Sequence, residues 1–376
     1  MKKKFLSVVL CVAMVSSLLV GCGSKNNDPA PATDNGKNES EAPKDSTSPK
    51  ESTNPSDSAD GTEKTYALIT KAAGNPYNEK LAEGFKEVVD SIGGKCIIQH
   101  PEAATADAQI TIIQSLISQG VDSICIAAND ENALQASLEE AKAAGIKVSC
   151  LDSKTNAASR MTFANQAGVT QIGQALMDAV YDISGGSGQW AILSATSQAT
   201  NQNAWIESMK SIMEKDSKYA NLELVEVAYG DDEPEKSTTV TQSLLTNYPD
   251  LKVICAPTTV GIAAAAKVLQ DQKSACKLTG LGLPSEMAEY IGDDADHSCP
   301  YMFLWNPIDV GRLGAHISVA LVSGKITGAK DETFEAGQME NSPYTITDAG
   351  DGGTEVILGA PFKFDPSNIA DWKDVY

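Results

Sequence analysis

Several residue types are scarce in this 376-residue sequence, and each shortage excludes a class of function. Only three histidines occur, His100, His297 and His316, and none stands at metal-ligand spacing from a second ligand. The sequence therefore predicts neither a metal site nor a cofactor. Aromatic residues make up only 6% of the chain, which is low for a protein that binds large hydrophobic partners.

Basic residues are outnumbered, with 29 lysines and arginines against 50 acidic residues and a net charge of −21. A chain this acidic is repelled by phosphate backbones and by anionic membrane surfaces. We therefore exclude nucleic acid and the charged membrane surface as ligands.

Catalytic motifs are missing as well. The sequence contains no G-x-S-x-G elbow and no phosphate-binding P-loop. The run Gly185-Gly186-Ser187-Gly188 precedes a predicted strand, which favours a turn over a phosphate cradle. The run from Asp348 to Gly353 has part of a calcium loop but lacks the remaining ligands in register, so a plain turn is favoured. An enzyme is thus the least favoured functional class.

Cysteines show no spacing typical of a zinc site or a small disulfide framework. Cys11 and Cys22 lie near the N-terminus, and the others are Cys96, Cys125, Cys150, Cys255, Cys276 and Cys299. Most of these six lie in apolar runs, which indicates buried, reduced side chains. A bridge between Cys125 and Cys150 on neighbouring strands remains an alternative.

The N-terminus has the pattern of a lipoprotein signal. Lys2-Lys3-Lys4 forms a basic region, Phe5 to Val20 an apolar region, and Leu19-Val20-Gly21-Cys22 a lipobox. We predict that residues 1–21 are removed and that Cys22 is lipidated; an ordinary signal peptide with an incidental cysteine is the alternative. Residues 22–64 are polar and predict a disordered tether. We therefore expect an extracytoplasmic protein anchored to the cell membrane.

From Thr65 onward, strands and helices alternate in units of about 25–30 residues, which predicts parallel sheets with right-handed crossovers. The pattern predicts two consecutive doubly wound sets joined near Phe163 to Gln166, with the strand and helix from Tyr301 to Ser323 returning to the first set. The fold class is therefore α/β with two Rossmann-like lobes, joined by several hinge crossings and enclosing a cleft. We predict an N-terminal lobe of residues 65–164 plus about 305–335, and a C-terminal lobe of residues 165–304 plus about 336–376.

Polar residues follow nearly every predicted strand, where small ligands bind in open α/β sheets. The stretch Ser194 to Trp205 illustrates this, because an apolar strand ends in a polar loop before a helix that we predict to begin near Ala204. The strand-end groups are Lys71 with Asn75 to Asn78, Asn129-Asp130, Asp152-Ser153, Asn201-Gln202, Tyr229 to Asp231, Pro257 to Thr259, Pro284 to Glu286 and Trp305-Asn306.

Carboxylates and amides in such loops suit a polyhydroxylated ligand, because they accept and donate hydrogen bonds to hydroxyls. Asp152 would accept from ligand hydroxyls and Lys71 would donate to ligand oxygens, while Tyr77, Trp205 and Trp305 would pack against a ring face or methyl group. A structural ion pair between Asp152 and Lys71, helix capping by Asn201, and a purely structural role for the two tryptophans are the alternatives.

Four longer strings carry a resemblance to a known family: ATNQNAW (199–205), APTTVGIAAAA (256–266), GLGLPSEM (280–287) and LWNPIDVG (304–311). With the signal, the tether and the two lobes, they resemble the type I periplasmic substrate-binding proteins of sugar ABC importers. The narrower resemblance is to the rhamnose-binding proteins and the related autoinducer-2 receptors of the LsrB branch. It covers nearly all of residues 65–376.

This resemblance implies a ligand site in the cleft between the lobes. In the autoinducer-2 pattern, Lys71, Asp152, Gln202 and Pro257 occupy matching positions, while Asn201 replaces an aspartate and Thr259 an alanine. Both departures resemble the rhamnose-binding pattern, so autoinducer-2 and L-rhamnose both remain open. The candidate ligand residues are Lys71, Tyr77, Asp152, Asn201, Gln202, Trp205, Pro257, Thr259 and Trp305.

The function predicted from the resemblance is an extracytoplasmic, monomeric solute-binding lipoprotein. It would capture its ligand by clamshell closure and present it to ABC permease subunits. A lipoprotein that senses the ligand and signals to a membrane kinase or chemoreceptor is the alternative, because the same two lobes serve both roles.

Overall fold

A computed structural model describes residues 63–376. The predicted signal peptide, the lipidation site Cys22 and all of the predicted tether except residues 63 and 64 lie outside the described residues. Within residues 63–376, no helix combines the length and the apolar character that a bilayer-spanning segment needs.

Strands and helices alternate along the chain, as the sequence pattern predicts. The strands are β1 (Thr65–Ile69), β2 (Lys95–Gln99), β3 (Ser123–Ile126), β4 (Lys147–Leu151), β5 (Phe163–Ala167), β6 (Gly188–Ser194), β7 (Leu222–Tyr229), β8 (Leu251–Ala256), β9 (Lys277–Gly280), β10 (Met302–Leu304), β11 (Thr333–Phe334), β12 (Tyr344–Thr345), β13 (Thr347–Asp348), β14 (Thr354–Gly359) and β15 (Phe362–Phe364). The α-helices are α1 (Pro76–Ser91), α2 (Ala106–Gln119), α3 (Gln135–Ala143), α4 (Val169–Ser184), α5 (Thr200–Lys215), α6 (Pro234–Asn247), α7 (Thr259–Asp271), α8 (Pro284–Met287), α9 (Pro307–Val322) and α10 (Ile369–Trp372).

Two separate parallel sheets define the two lobes. The first is a 7-stranded sheet in the order β13-β14-β5-β4-β3-β1-β2, in which only β13 runs antiparallel to its neighbour. The second is a 4-stranded sheet in the order β7-β6-β8-β9. Around this second sheet, α4 packs against α5 and α6 packs against α7. The doubly wound α/β prediction is confirmed.

The first sheet is buried on both faces. Successive strand residues point to opposite sides, and helices cover each side. Leu68 and Cys125 belong to the core beneath α1 and α9, whereas Ile69 and Cys150 belong to the core beneath α2 and α3. Cys125 and Cys150 therefore lie on opposite faces of the sheet, and all six cysteines from Cys96 to Cys299 are free. A Cys125–Cys150 bridge is thus excluded.

Three crossings connect the lobes. The chain leaves the first sheet after β5, at Gly168, and enters α4 of the second lobe. It returns between β10, which neighbours β9, and α9, which packs against α1. It crosses again between β14 in the first sheet and β15, which pairs with β10. Trp305-Asn306 and Ala360-Pro361 are the second and third connections.

The sequence pattern misplaced three of these boundaries. Of the predicted strand and helix from Tyr301 to Ser323, only the helix α9 returns to the first lobe, because β10 pairs with β15 and neighbours β9. Phe163 to Gln166 is not a junction, because these residues form most of β5 inside the first sheet. The tail is also divided, since β13 and β14 extend the first sheet while only β15 pairs with the second lobe. Assigning all of residues 336–376 to the C-terminal lobe was therefore wrong. The sequence of one short strand does not show which strand it pairs with.

Helices α1 and α9 pack so closely that a side chain at the contact would collide with the backbone. A Cβ atom at Gly84 would lie 1.9 Å from the Ile308 carbonyl oxygen, and one at Gly311 would lie 2.0 Å from the Leu81 carbonyl oxygen. The two glycines thus permit the approach that positions the start of α9, directly after Trp305.

We expect Gly311→Ala to lower the free energy of unfolding by about 1–3 kcal/mol, because an overpacked contact forces backbone shifts. Urea denaturation monitored by circular dichroism measures this loss. Gly359→Ala is the matched control, since a Cβ at Gly359 has no neighbour within 4 Å. Equal midpoints for the two variants would contradict the proposed packing role.

The predicted turn at residues 348–353 is held by ion pairs of Asp351. Asp351 accepts two hydrogen bonds of 2.8 Å from the fully buried Arg160 guanidinium and one of 2.9 Å from Lys154. Partial burial raises the pKa of Asp351, but hydrogen bonding to these two cations outweighs burial and lowers the pKa to about 2. The turn is thereby attached to the first lobe. Among residues 63–376, no cluster of side chains suits a metal ion.

We expect Asp351→Asn to reduce stability by about 3 kcal/mol, because Arg160 would remain buried without a counter-charge. Since the folded-state pKa lies below the value of about 3.9 for an unfolded aspartate, this contribution is complete above that pH and is lost as the pH falls toward 2. Melting curves between pH 7 and pH 2 test both statements. Asp348→Asn is the control, because Asp348 accepts only from the backbone N–H of Gly350.

Candidate functional site

The carboxyl ends of β1, β4, β6, β7 and β8 meet at a small cavity between the two lobes. Its volume is about 50 Å³, room for only a few water molecules at roughly 10–15 Å³ each. The lining residues are Lys71, Asn75, Tyr77, Asn78, Asp152, Asn201, Gln202, Trp205, Asp232, Pro257, Thr258, Thr259, Leu281, Leu304 and Trp305. All nine candidate ligand residues from the sequence are among them.

Asp152 is at the centre of the polar contacts. The Tyr77 hydroxyl donates to its Oδ1 at 2.9 Å, and Lys71 Nζ lies 3.7 Å from its Oδ2. Asn201 Nδ2 lies 3.3 Å from both its Oδ2 and its backbone oxygen. Burial raises the pKa of Asp152, and Lys71 and Tyr77 oppose that rise by stabilising the carboxylate.

Tyr77 links this carboxylate to an aromatic wall. Trp305 Nε1 donates to the Tyr77 hydroxyl at 2.7 Å, so the hydroxyl is oriented toward Asp152. Burial, followed by the Asp152 charge, raises the pKa of Tyr77 well above its usual range. Trp305 also packs edge-on against Trp205, with ring centroids 5.7 Å apart. Both tryptophans line the cavity and both are buried, so each is part of the cavity wall and part of the core.

Residues of α5 reach across from the second lobe. Lys71 Nζ donates to Asn201 Oδ1 at 2.8 Å, which joins the lobes directly. The helix begins at Thr200 rather than near Ala204, so Asn201 and Gln202 lie on its first turn and not in a loop. Gln202 Oε1 accepts from the Ser194 hydroxyl at 2.6 Å and from the Ala195 N–H at 2.8 Å. Its NH₂ group is therefore the part of this side chain that suits a ligand.

The cavity lining contains a second carboxylate, that of Asp232, which follows β7. Asn75 Nδ2 and the Thr258 hydroxyl each donate to it at 2.8 Å. Asp152 and Asp232 both have a φ of 59°, a conformation that costs a residue with a side chain of order 1–3 kcal/mol. In both cases this backbone directs a carboxylate toward the cavity.

The sequence analysis missed Asp232, because the predicted strand-end group after β7 stopped one residue earlier, at Asp231. Asn75, Asn78 and Thr258 lay in the predicted strand-end loops but were not among the candidates. Two other predicted groups do not line the cavity. Asn129 supports it indirectly by donating to the Lys71 carbonyl at 2.8 Å, and the segment Pro284 to Glu286 lies outside the lining.

Comparison with known proteins places this architecture in a family. Residues 66–326 match the model of the periplasmic binding protein domain. An ABC transporter solute-binding protein from Clostridium phytofermentas, solved with bound L-rhamnose, is 63% identical; the match covers 84% of this chain and 99% of that chain, with a TM-score of 0.82. A sugar ABC transporter protein from Actinomyces odontolyticus is 38% identical over 82% of this chain and 97% of that chain, with a TM-score of 0.65.

A more distant structure shares the fold. LsrB from Clostridium saccharobutylicum, in complex with autoinducer-2, is 21% identical over 82% of this chain and 99% of that chain, with a TM-score of 0.75. The TM-scores of 0.82, 0.65 and 0.75 show that all three structures share the fold of this chain. The chain therefore belongs to the periplasmic binding proteins and, within them, to the solute-binding proteins of ABC transporters.

Proposed function

We propose that this protein binds L-rhamnose, or a closely similar deoxysugar, between its lobes and delivers it to an ABC permease. The observation that carries the proposal is the composition of the interlobe cavity, in which two carboxylates and an ammonium group adjoin a tryptophan pair. The 63% identity to a protein solved with L-rhamnose supports it.

The polar side of the cavity suits sugar hydroxyls. Asp152 and Asp232 accept hydrogen bonds, and such charge-assisted bonds are about twice as strong as neutral ones. Lys71, Asn75 and the Gln202 NH₂ group donate. Lys71 now donates to Asn201 and Asn75 to Asp232 across the cavity, so a sugar would replace these interlobe bonds by bonds of the same kind.

The apolar side suits the methyl group that distinguishes a 6-deoxysugar from a hexose. Trp205 and Trp305 are 3% and 5% exposed and present carbon surface at the cavity. A hydroxymethyl group there would lose its hydrogen bonds to water, which disfavours the fully hydroxylated sugar.

Two positions favour L-rhamnose over autoinducer-2. Asn201 lacks the charge of the aspartate that the autoinducer-2 pattern implies, and its NH₂ group approaches Asp152. Thr259 brings a hydroxyl 3.4 Å from Asn75 Oδ1 where that pattern has a smaller alanine. The similarity to LsrB, at 21% identity, supports the shared fold only.

Because a cavity of about 50 Å³ is smaller than a monosaccharide, entry requires the lobes to separate. The three crossings permit a hinge motion of this kind, and the bonds Lys71–Asn201 and Asn75–Asp232 would break on opening. We further propose that the protein acts as an extracytoplasmic monomer anchored by a lipid on Cys22, which lies outside the described residues. It performs no chemical step on its ligand.

We expect Asp152→Asn to weaken L-rhamnose binding roughly 100-fold, since the loss of charged acceptors costs about 3 kcal/mol. In the wild type, affinity should fall on acidification through the raised pKa of Asp152, at a higher pH than the value near 3.9 of an ordinary aspartate. Protonation turns an acceptor into a donor, so the Asn variant should lose this dependence. Calorimetric titration between pH 8 and pH 4 measures both effects.

Asp130→Asn is the matched control for this measurement. Asp130 lies in the loop after β3 of the same lobe, but its carboxylate accepts from the N–H groups of Asn132 and Ala133 and does not line the cavity. Wild-type affinity for the Asp152 variant, with its fold intact by circular dichroism, would refute the role given to this carboxylate.

We expect the wild type to prefer L-rhamnose to autoinducer-2 by at least 100-fold. Asn201→Asp should weaken L-rhamnose binding at least tenfold, because a second carboxylate would then face Asp152 across the present 3.3 Å contact. Asn203→Asp, one residue beyond the cavity on the same helix, should leave affinity unchanged. Mass spectrometry of ligand released from purified protein identifies the bound solute, and release of autoinducer-2 alone would overturn the assignment.

A further inference from the structure

A second and much larger cavity lies where the three interlobe connections meet. It is lined by Gln166 near the end of β5, by Trp305-Asn306, and by Gly359-Ala360 at the end of β14, so residues at or next to each crossing contribute to it. Its volume is about 880 Å³, within the range of roughly 300–1,000 Å³ that small-molecule sites occupy. We call this space the hinge cavity.

The wall of the hinge cavity contains a buried acceptor without a donor. Gln166 is only 1% exposed, and within residues 63–376 no protein group donates a hydrogen bond to its Oε1 atom. An unsatisfied buried acceptor costs about 1–3 kcal/mol, whereas most such groups in proteins are paired. Because Oε1 is itself enclosed, a ligand with an N–H or O–H donor would remove this deficit once the Gln166 side chain rotates toward the cavity.

The charges around the cavity are predominantly negative. Three carboxylates, those of Glu87, Asp309 and Glu340, line it together with a single guanidinium. Arg312 is already bonded to Glu87 at 2.7 Å and to Asp309 at 2.8 Å. Burial lowers the pKa of His316, which also lines the cavity, so this imidazole adds no positive charge near neutral pH.

Aromatic rings form the remaining wall. Trp372 contacts Phe362 and Tyr376, with ring centroids 5.4 Å and 5.6 Å apart, and all three line the cavity. Aromatic faces attract cations, above all where neighbouring carboxylates exclude anions. The combination of an unpaired acceptor, excess carboxylates and aromatic faces is suited to an organic cation and unsuited to an anion.

We propose that the hinge cavity is a second binding site, which takes a small organic ammonium ion with its N–H directed to Gln166 Oε1 and its apolar body against the aromatic wall. This site is separate from the proposed sugar site and does not depend on it. The two share one side chain, because Trp305 lines both cavities and donates to Tyr77 in the sugar site.

A charge series of one shape tests the chemical class. Benzylammonium, benzyl alcohol and benzoate are titrated into the purified full chain by calorimetry, without sugar. We expect benzylammonium to bind, benzyl alcohol to bind at least tenfold more weakly, and benzoate to show no binding. Absence of benzylammonium binding, or equal affinity for the alcohol, would overturn the proposal.

A cavity-filling variant tests the location. Gly359→Leu places a side chain in open space, since a Cβ there has no neighbour within 4 Å, and it should abolish benzylammonium binding. Gly359→Ala adds only one carbon and should retain benzylammonium binding. This variant therefore separates the effect of filling the cavity from an effect on the backbone. Gln166→Leu should weaken binding about tenfold by removing the acceptor. Undiminished binding to Gly359→Leu would place the cation elsewhere and refute the site.

Titration of L-rhamnose into the same variants keeps the two proposals distinguishable. Loss of benzylammonium binding with intact L-rhamnose binding shows that the filled variant is folded and that the hinge cavity is the cation site. Failure of the wild type to bind L-rhamnose would refute the proposed function and leave the cation result standing.

Discussion

The buried carboxylate of Asp152 is the constraint on which the interlobe site depends. A carboxylate withdrawn from water is stable only if other groups replace the lost hydration. Here Tyr77 and Lys71 from its own lobe and Asn201 from the opposite lobe provide that replacement. Trp305 in turn orients Tyr77 from the second crossing. Satisfying one charge therefore brings together elements from both lobes and from the connection between them.

The same arrangement explains how binding and closure are coupled. Asp152, Asp232, Lys71 and Asn75 each have a protein partner when the lobes are together, and a sugar offers equivalent partners at the same place. The free energy of closure is consequently the difference between two similar sets of hydrogen bonds, which a small change at Asn201 or Asp232 would shift. The hinge cavity shares Trp305 with this site and lies where the three connections that must bend during opening meet.

Much of the fold followed from local patterns, and so did most of the site. Strand and helix periods predicted the alternation, and the nine candidate ligand residues, chosen from the strand ends, all line one cavity. Boundaries were less accurate wherever a helix began in polar residues, as at Thr200, because amide side chains there look like a loop. The pairing of β14 with β5 joins residues about 190 positions apart, as the Asn165–Glu355 contact shows, and no local pattern reveals it.

What the sequence alone determined about this protein was its α/β class, its two-lobed organisation and the chemistry of its strand ends, because these depend on side-chain period and on neighbours along the chain. Only the tertiary structure decided which strand ends face each other, that Asp232 meets Asn75 across 157 positions, and that three connections enclose a cavity around Gln166. The physical reason is that burial and hydrogen-bond partners at these places come from distant segments, so their energies exist only after the lobes have assembled.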